Sequence, residues 1–263
     1  MKIAPILAPI AGVDAMIEAA RLANTLGFDA VGLWDHYHSA KPEWGYIAGW
    51  SAMASLAANT ERINLVQMVV NNLHFDIGVV AKETSTLALL SDGRYELGIG
   101  AGDWPESFSA WGRPFPRGDE RVARLAESVD ILRKAWSGQM FDFDGKFDTL
   151  RGACVSPAPD RPPRVVVGVA KSRSLAESAV AYADELNLYA DPAIVDYTAA
   201  LVAQSGRNVT LSLFWDWSWN NWPADPEAEL EPWLQQGIDR FFVSIGGADM
   251  PVRLEKLAPL LQA

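Results

Sequence analysis

The stretch SDGRYELGIGAGDWPESFSAWGRPF, residues 91–115, carries the strongest fold signal in this sequence. A turn at Asp92-Gly93 leads into a short apolar run, 95–99, which predicts a buried strand. Glycines stand at positions 98, 100 and 102, where the missing Cβ lets the backbone bend sharply and lets a flat ligand lie close. A polar and aromatic loop follows, and a helix is predicted from about Asp119. A strand, a glycine-rich exit, a loop and a helix in this order build the active-site rim of a βα barrel.

The same alternation of strand and helix recurs along the chain. Apolar runs that predict strands lie at residues 2–8, 30–33, 63–70, 165–168, 185–189, 209–215 and 240–245. Roughly eight such units in a row predict one (β/α)8 TIM barrel of the α/β class, with residues 1–263 as a single domain. A doubly wound sheet is the weaker interpretation, because residues 8–12 lack the glycine spacing of a phosphate-binding turn. Residues 141–163 are rich in proline and are interpreted as an irregular excursion within the domain.

Composition excludes several functional classes. The chain has 33 acidic and 22 basic residues, a net charge of -11, which disfavours nucleic acid and anionic membrane surfaces as partners. The single cysteine, Cys154, excludes an internal disulfide and a metal site built only from cysteines. The sequence shows neither a membrane-spanning apolar run nor a signal-peptide pattern. We therefore expect a cytoplasmic protein that acts on a small-molecule substrate.

The histidines mark the strand ends where a barrel carries its chemistry. His36 and His38 follow the second predicted strand, and His74 follows the third. Histidine is the side chain best suited to proton transfer near neutral pH. His36 and His38 would also suit a metal site, but the late strands supply no histidine to complete one, so no metal is predicted.

A tryptophan-rich segment, residues 214–222, follows the seventh predicted strand. Its indoles alternate with polar residues, which leaves one set of rings free to line a pocket. Trp215, Trp217 and Trp219, together with Trp44 and His74, are therefore predicted to wall the substrate pocket. The alternative is a tryptophan cluster that packs the rim of the barrel.

Three stretches of this sequence resemble the luciferase-like flavin and deazaflavin oxidoreductases, the bacterial-luciferase barrel family. They are LGFDAVGLWDHYH at 26–38, SDGRYELGIGAG at 91–102 and WGRPFP at 111–116. The Asp-His-aromatic-His run at 35–38 is more similar to the branch that uses the deazaflavin coenzyme F420 than to the branch that uses FMN. The resemblance implies an oxidoreductase that transfers hydride between F420 and a small organic substrate, and it implies a homodimer.

The resemblance also assigns cofactor-binding positions. It places Asp35 and His36 against the deazaflavin ring, and Gln67 with Met68 in a third-strand bulge where relatives often keep a non-proline cis peptide. It places Ala101, Gly102 and Asp103 at the other edge of the ring. It assigns the ribityl-phosphate end to Gly168, Val169 and Ala170 at a helix N-terminus. Val169 and Ala170 stand where relatives usually carry paired glycines.

The catalytic hypothesis centres on His36 as the proton-transfer group. Asp35 would fix the tautomer of His36 or hydrogen-bond the coenzyme, and Asp103 is the second candidate acid. Two alternatives share the barrel. One is an FMN-dependent monooxygenase, and the other is a catalytically silent barrel that only binds a flavin.

Overall fold

A computed structural model describes residues 1–7, 12–39, 41, 45–218, 221–238, 240–247 and 249–262. Its main sheet is a closed ring of eight parallel strands in the order β3-β2-β1-β11-β10-β9-β8-β5, and pairing between β3 and β5 closes the ring. The strands are β1 Lys2–Leu7, β2 Ala30–Leu33, β3 Asn64–Gln67, β5 Tyr95–Gly100, β8 Arg164–Ala170, β9 Glu185–Tyr189, β10 Thr210–Asp216 and β11 Arg240–Ser244, and a short β4, Val70–Asn71, pairs with β5. The predicted TIM barrel is confirmed.

Helices cover the outside of this ring. They are α1 Val13–Leu26, α2 Gly49–Asn59, α3 Ile77–Leu90, α4 Pro105–Ala110, α5 Gly118–Ala135, α6 Arg173–Ala179, α7 Pro192–Ser205, α8 Pro226–Leu234 and α9 Met250–Leu257, followed by a 3-10 helix, Ala258–Gln262. The predicted amphipathic helix is α5, which buries Leu125, Val129 and Leu132 against the barrel. Within the described ranges, every helix is too short or too polar to traverse a lipid bilayer.

The segment predicted to be irregular contains an antiparallel ribbon instead. Strands β6, Phe141–Asp144, and β7, Thr149–Ala153, pair with each other and not with the barrel. The turn between them is held by one carboxylate of α5, because Glu127 accepts hydrogen bonds from the backbone N–H groups of residues 146, 147 and 148 at 2.8, 2.9 and 2.7 Å. The excursion is thus a two-stranded ribbon attached to the outer helix layer.

The glycines of β5 serve a neighbouring strand. A Cβ on Gly98 would lie 1.8 Å from the carbonyl oxygen of Gln67, and a Cβ on Gly100 would lie 2.9 Å from Val69. Gly168 on β8 also faces Val69 at 2.9 Å. These glycines therefore leave room for a bulge between β3 and β4. The sequence-based expectation was close approach of a ligand; Gly98 instead lies outside the described cavity lining, whereas Gly100 and Gly102 are part of that lining.

A buried ion cluster fills the amino-terminal end of the barrel. Arg240, at the start of β11, contacts Glu96 at 2.7 Å, Glu185 at 2.8 Å and Asp29 at 2.8 Å. Arg164 adds a contact to Glu185 at 3.2 Å. Buried charges persist only when they are paired and hydrogen-bonded, and this arrangement meets that requirement at the end of the barrel opposite the strand exits.

Candidate active site

A cavity of about 590 Å³ lies at the carboxyl-terminal ends of the barrel strands. Its lining comes from the carboxyl-terminal ends of β8, β9 and β10 and from the segments that follow β2, β3, β4, β5 and β8. The lining side chains include Trp34, Asp35, His36, Tyr37, Tyr46, Met68, Val69, Asn71, His74, Ala101, Gly102, Asp103, Trp104, Arg121, Gly168, Val169, Ala170, Ser172, Ser174, Tyr189, Phe214 and Asp216. A single cavity formed by many strand exits is where a βα barrel carries its chemistry.

Most of the sequence-predicted site residues meet in this cavity. Those that line it are Asp35, His36, Met68, His74, Ala101, Gly102, Asp103, Gly168, Val169 and Ala170. Gln67, Trp215 and Trp217 are absent from the described lining. Trp44 and Trp219 lie outside the described residues. The structure thus brings together the strand-end residues of β2, β4, β5 and β8, and their functional roles remain predictions.

His36 sits among aromatic rings. Its imidazole centroid lies 4.5 Å from the Tyr46 ring, 5.7 Å from Trp104 and 5.8 Å from Trp34. Burial lowers the pKa of His36, and the nearby Asp103 carboxylate opposes that shift. Because the pKa is lowered, the imidazole is neutral at pH 7 and has a nitrogen free to accept a proton. That is the state required of a general base.

Asp35 is held at one oxygen and free at the other. Its Oδ1 accepts a hydrogen bond from the Gly49 backbone N–H at 3.1 Å, while the buried Oδ2 has no partner among the described residues. Burial raises the pKa of Asp35 to about 6, and the Gly49 hydrogen bond opposes the shift. No hydrogen bond joins Asp35 to His36 in this described segment, because adjacent side chains on an extended chain diverge. The idea that Asp35 fixes the tautomer of His36 is therefore corrected, and the free Oδ2 favours a contact with a bound ligand.

Gln67 lies behind the cavity wall. It is fully buried, and its Oε1 accepts a hydrogen bond from the Tyr95 hydroxyl at 2.6 Å. A Cβ on Gly49 would lie 2.6 Å from both Asp35 Oδ1 and Gln67 Nε2, so Gln67 supports the layer beneath Asp35. Gln67 is outside the described cavity lining, and its assignment to the cofactor-binding bulge with Met68 stays a prediction. The non-proline cis peptide joins Met68 to Val69, and both residues line the cavity.

His74 is a second neutral imidazole at the cavity. Burial lowers its pKa to about 4, with a further lowering by Arg113. Its ring packs 4.8 Å from the rings of both Phe108 and Tyr37, and its buried Nδ1 has no partner among the described residues. Arg113, which the sequence did not single out, donates to the His74 carbonyl oxygen at 2.9 Å and so holds the segment in place.

The turn after β8 faces the start of α5 across one side of the cavity. Ala170 has a φ of 53°, the left-handed conformation that glycine adopts most easily. Val169 is buried in the barrel core, and it also contributes to the cavity lining. Ser172 and Arg121 both line the cavity there, and the buried Arg121 Nε has no partner among the described residues. The sequence did not assign Arg121 to the site, although its place in the first turn of α5, just beyond the β5 rim, is a usable signal.

The family model of the luciferase-like monooxygenases matches residues 3–244. The chain belongs to the luciferase-like monooxygenase family. It is 31% identical over 155 residues to an F420-dependent glucose-6-phosphate dehydrogenase of Amycolatopsis mediterranei, a match that covers 58% of this chain and 46% of the relative. The chain thus spans less than half the length of that relative.

Two solved structures of enzymes with different printed activities superpose on this luciferase-like barrel. An F420-dependent secondary alcohol dehydrogenase, in complex with an F420-acetone adduct, superposes with a TM-score of 0.82 at 18% identity over 98% of both chains. An EDTA monooxygenase of a Chelativorans species superposes with a TM-score of 0.81 at 13% identity, covering 100% of this chain and 93% of the other. These likenesses show the shared fold alone.

The tryptophans of β10 occupy a different place in this luciferase-like barrel from the one predicted. Trp215 packs 6.2 Å from Trp217 and 6.2 Å from Trp233 on the helix-facing side, and Trp217 is buried in the core. Phe214 and Asp216 are the β10 residues that line the cavity. The side chains of this segment do alternate between two faces, as predicted. However, the face that lines the cavity carries Phe214 and Asp216, not Trp215 and Trp217. The rim-packing alternative therefore describes Trp215 and Trp217.

Proposed function

We propose that this luciferase-like barrel is an F420-dependent oxidoreductase that transfers hydride between the coenzyme and a small organic substrate. The observation that carries the proposal is the make-up of the one cavity described above. After β2 the cavity has the neutral imidazole of His36 among aromatic rings. Near β8 it has the guanidinium of Arg121 and the hydroxyls of Ser172 and Ser174. In the ring of strands, β3 and β5 lie between β2 and β8, so the two surfaces are on different sides of the cavity. A planar redox ring joined to a phosphate requires both kinds of surface.

The residues of the cavity fit such a coenzyme. Asp35 Oδ2, His74 Nδ1 and Arg121 Nε are buried polar atoms without partners among the described residues. Buried polar atoms usually have hydrogen-bond partners, so three orphans around one cavity indicate a polar ligand. Asp35 and Gly102 would contact the ring. Arg121, with the start of α5 at Gly118, would hold the phosphate, because helix N-termini and guanidinium groups both favour anions.

When bound, F420 supplies the hydride acceptor or donor, and the chain supplies orientation and one proton site. His36, neutral at pH 7, would accept the hydroxyl proton of an alcohol substrate at its imidazole nitrogen and return it in the reverse direction. Tyr46 and Trp104 pack against His36 and would keep water away from it. The half-buried His74 would hydrogen-bond a ligand through its unpartnered Nδ1. These contributions are positioning and general acid-base catalysis.

Coenzyme titration tests this proposal. Purified protein is titrated separately with F420 and with FMN, and fluorescence quenching reports binding. We expect F420 to bind and FMN to bind much more weakly. Tight FMN binding without affinity for F420 would overturn the cofactor assignment, and oxygen consumption with reduced FMN would identify a monooxygenase. F420 binding without activity on a panel of alcohols and carbonyl compounds would indicate a silent barrel.

We also propose a cytoplasmic homodimer. The free Cys154 is exposed, which is typical of a protein from a reducing compartment. Helix α3 exposes Val79 and Leu90 by 46% and 58%, and such apolar side chains are common in subunit interfaces. Light scattering on the purified protein would give the mass directly, and a monomer at micromolar concentration would contradict the dimer.

A further inference from the structure

The charges around the cavity are unevenly distributed. Arg121 is the one lysine or arginine in the described lining. The residues outside the described ranges (8–11, 40, 42–44, 219–220, 239, 248 and 263) contain no lysine, arginine or histidine at all. A cation hidden in those gaps is therefore excluded by sequence. If Arg121 holds the phosphate of the coenzyme, no lining cation is left for an anionic substrate.

The basic residues near the rim are engaged elsewhere. Lys171 forms an ion pair with Asp191 at 2.9 Å. Arg113 donates hydrogen bonds to the carbonyl oxygens of Leu73 and His74 at 2.6 and 2.9 Å. Lys41 is exposed and does not line the cavity. These side chains leave the negative charge at the cavity mouth without a neighbouring lining cation.

Two exposed carboxylates, Asp103 and Asp216, line the part of the cavity that holds His36. Neither forms an ion pair with a described residue. Asp216 accepts a hydrogen bond from the Ser218 backbone N–H at 3.1 Å, which fixes its position without neutralising it. Burial raises the pKa of Tyr189, both carboxylates raise it further, and Lys171, which is paired with Asp191, opposes them more weakly, so the fields of the two carboxylates overlap at that ring. We call the region lined by His36, Tyr46, Asp103, Trp104, Tyr189 and Asp216 the substrate end.

Aromatic rings complete the substrate end. Tyr46 and Trp104 pack around His36, and Tyr189 packs 5.6 Å from Phe214. The faces of aromatic rings carry partial negative charge, so they attract cations and apolar groups. Rings and carboxylates in one region therefore repel an anion and accept an uncharged or positively charged group.

Resting on the proposed function, we infer that the substrate end takes an uncharged or positively charged alcohol of aromatic size, or the corresponding carbonyl compound, and rejects a phosphorylated one. In the oxidation direction, the carbinol C–H bond would break, and bound F420 would supply the acceptor for its hydride. The O–H bond breaks and its proton passes to His36, which leaves a C=O double bond. The inferred specificity differs from the glucose 6-phosphate named for the Amycolatopsis relative, because a phosphate dianion requires cations that this end lacks.

A matched probe series tests the inference. The probes are 1-arylethanols that carry a para trimethylammonium, tert-butyl or phosphate group, the first two of which have nearly the same shape. Calorimetry measures their binding to the protein without coenzyme and with F420, and turnover is measured with F420. We expect the tert-butyl and trimethylammonium probes to bind, and the phosphate probe to bind about thirtyfold more weakly or worse, because two lining carboxylates repel a dianion.

Charge-neutral variants assign the effect to the substrate end. Asp216→Asn retains the oxygen that accepts the Ser218 hydrogen bond. It should reduce the ratio of the phosphate probe's Kd to the tert-butyl probe's Kd by roughly threefold to tenfold. Asp196→Asn on α7 removes the same charge from an exposed helix position and should leave the probe ranking unchanged. Equal binding of the phosphate and tert-butyl probes, efficient turnover of glucose 6-phosphate, or no binding by the neutral and cationic probes would overturn the inference. Failure to bind F420 would instead defeat the proposed function. Because Arg121 could then hold the phosphate probe, charge selection on coenzyme-free protein is decided by the comparison of Asp216→Asn with the wild type, which differ only at the substrate end.

Discussion

The two ends of this barrel treat buried polar groups in opposite ways. At the amino-terminal end, Arg240 is 2% exposed and contacts Glu96, Glu185 and Asp29 at 2.7–2.8 Å, and only Glu185 Oε1 lacks a partner among the described atoms. At the carboxyl-terminal end, Asp35 Oδ2 and other buried polar atoms around the cavity have no described partner. One end satisfies its charges internally, and the other keeps capacity for a ligand.

The pKa values of the buried ionisable groups differ between the two ends in the same sense. Burial raises the pKa of Glu96, but Arg240 opposes the shift. Burial would lower the pKa of Arg240, but Glu185 and Glu96 raise it well above its ordinary value, so its charge is fixed. Asp35 has only the Gly49 hydrogen bond against burial, and its pKa reaches about 6. Paired burial fixes a charge, whereas unpaired burial makes it responsive near neutral pH, which is what a catalytic site requires.

The largest effect is expected from Arg240→Met, which leaves buried carboxylates without their cation. Removing one partner of a buried ion cluster costs about 3–5 kcal/mol in the free energy of unfolding. Urea unfolding followed by circular dichroism measures this loss. Lys134→Met, which breaks an exposed ion pair with Asp130, should cost less than about 1 kcal/mol. Similar losses in the two variants would show that the cluster does not stabilise the barrel.

Next in size is the loss of the imidazole at the opposite end. His36→Ala should lower the turnover number by about a hundredfold or more while F420 affinity and folding are retained, because the proton acceptor is removed. His38→Ala is the matched control, since His38 packs against Trp104 but does not line the cavity. Steady-state kinetics of both variants decide the matter. Unchanged turnover in His36→Ala would remove this residue from the mechanism.

A smaller effect is expected in the pH dependence of the free energy of unfolding, to which Asp35 at the carboxyl-terminal end contributes. The folded-state pKa of Asp35 is raised from 3.8 to about 6, so its ionisation destabilises the fold as the pH rises through this window. The penalty is absent below the unfolded pKa and fully present above about pH 6, where the shift corresponds to about 2–3 kcal/mol. Asp35→Asn should therefore be more stable than the wild type at pH 7, and the difference should fall to about 0.5 kcal/mol at pH 4.

Unfolding free energies of Asp35→Asn and the wild type at pH 4, 5, 6 and 7 give the required difference curve. Asp196→Asn, an exposed helix substitution, should give a flat difference curve. A flat curve for Asp35→Asn as well would mean that the Asp35 carboxylate has a partner in solution. Buried charges would then be paired at both ends of the barrel.

The contrast also explains which parts of the site the sequence predicts. Parallel strands with helices between them imply one face of strand exits, so the meeting of His36 and Asp103 in the cavity follows from topology. The sequence does not predict which side chains of β10 face the cavity. Both faces of a barrel strand are buried, and the alternation of residues alone does not say which face points inward. Phe214 was therefore overlooked in favour of Trp215. Arg121 was missed because its role depends on where α5 begins relative to the cavity.

The smallest effect concerns the turn after β8, which contains Ala170. Ala170 adopts a left-handed φ of 53°, which costs a non-glycine residue about 1–2 kcal/mol. Ala170→Gly relieves that strain, but glycine also makes the unfolded chain more flexible, which stabilises the unfolded state by about 0.4–1 kcal/mol. The net change in the free energy of unfolding should therefore be within about 1 kcal/mol and should not destabilise the protein. Ala203→Gly, at an exposed position within α7, has no strain to relieve and should lose about 1 kcal/mol. Equal losses in the two variants would show that Ala170 is unstrained. Because the substitution removes a single methyl group from the cavity lining, F420 affinity should agree within about threefold between Ala170→Gly and the wild type. A larger gain would show that the methyl group obstructs the coenzyme.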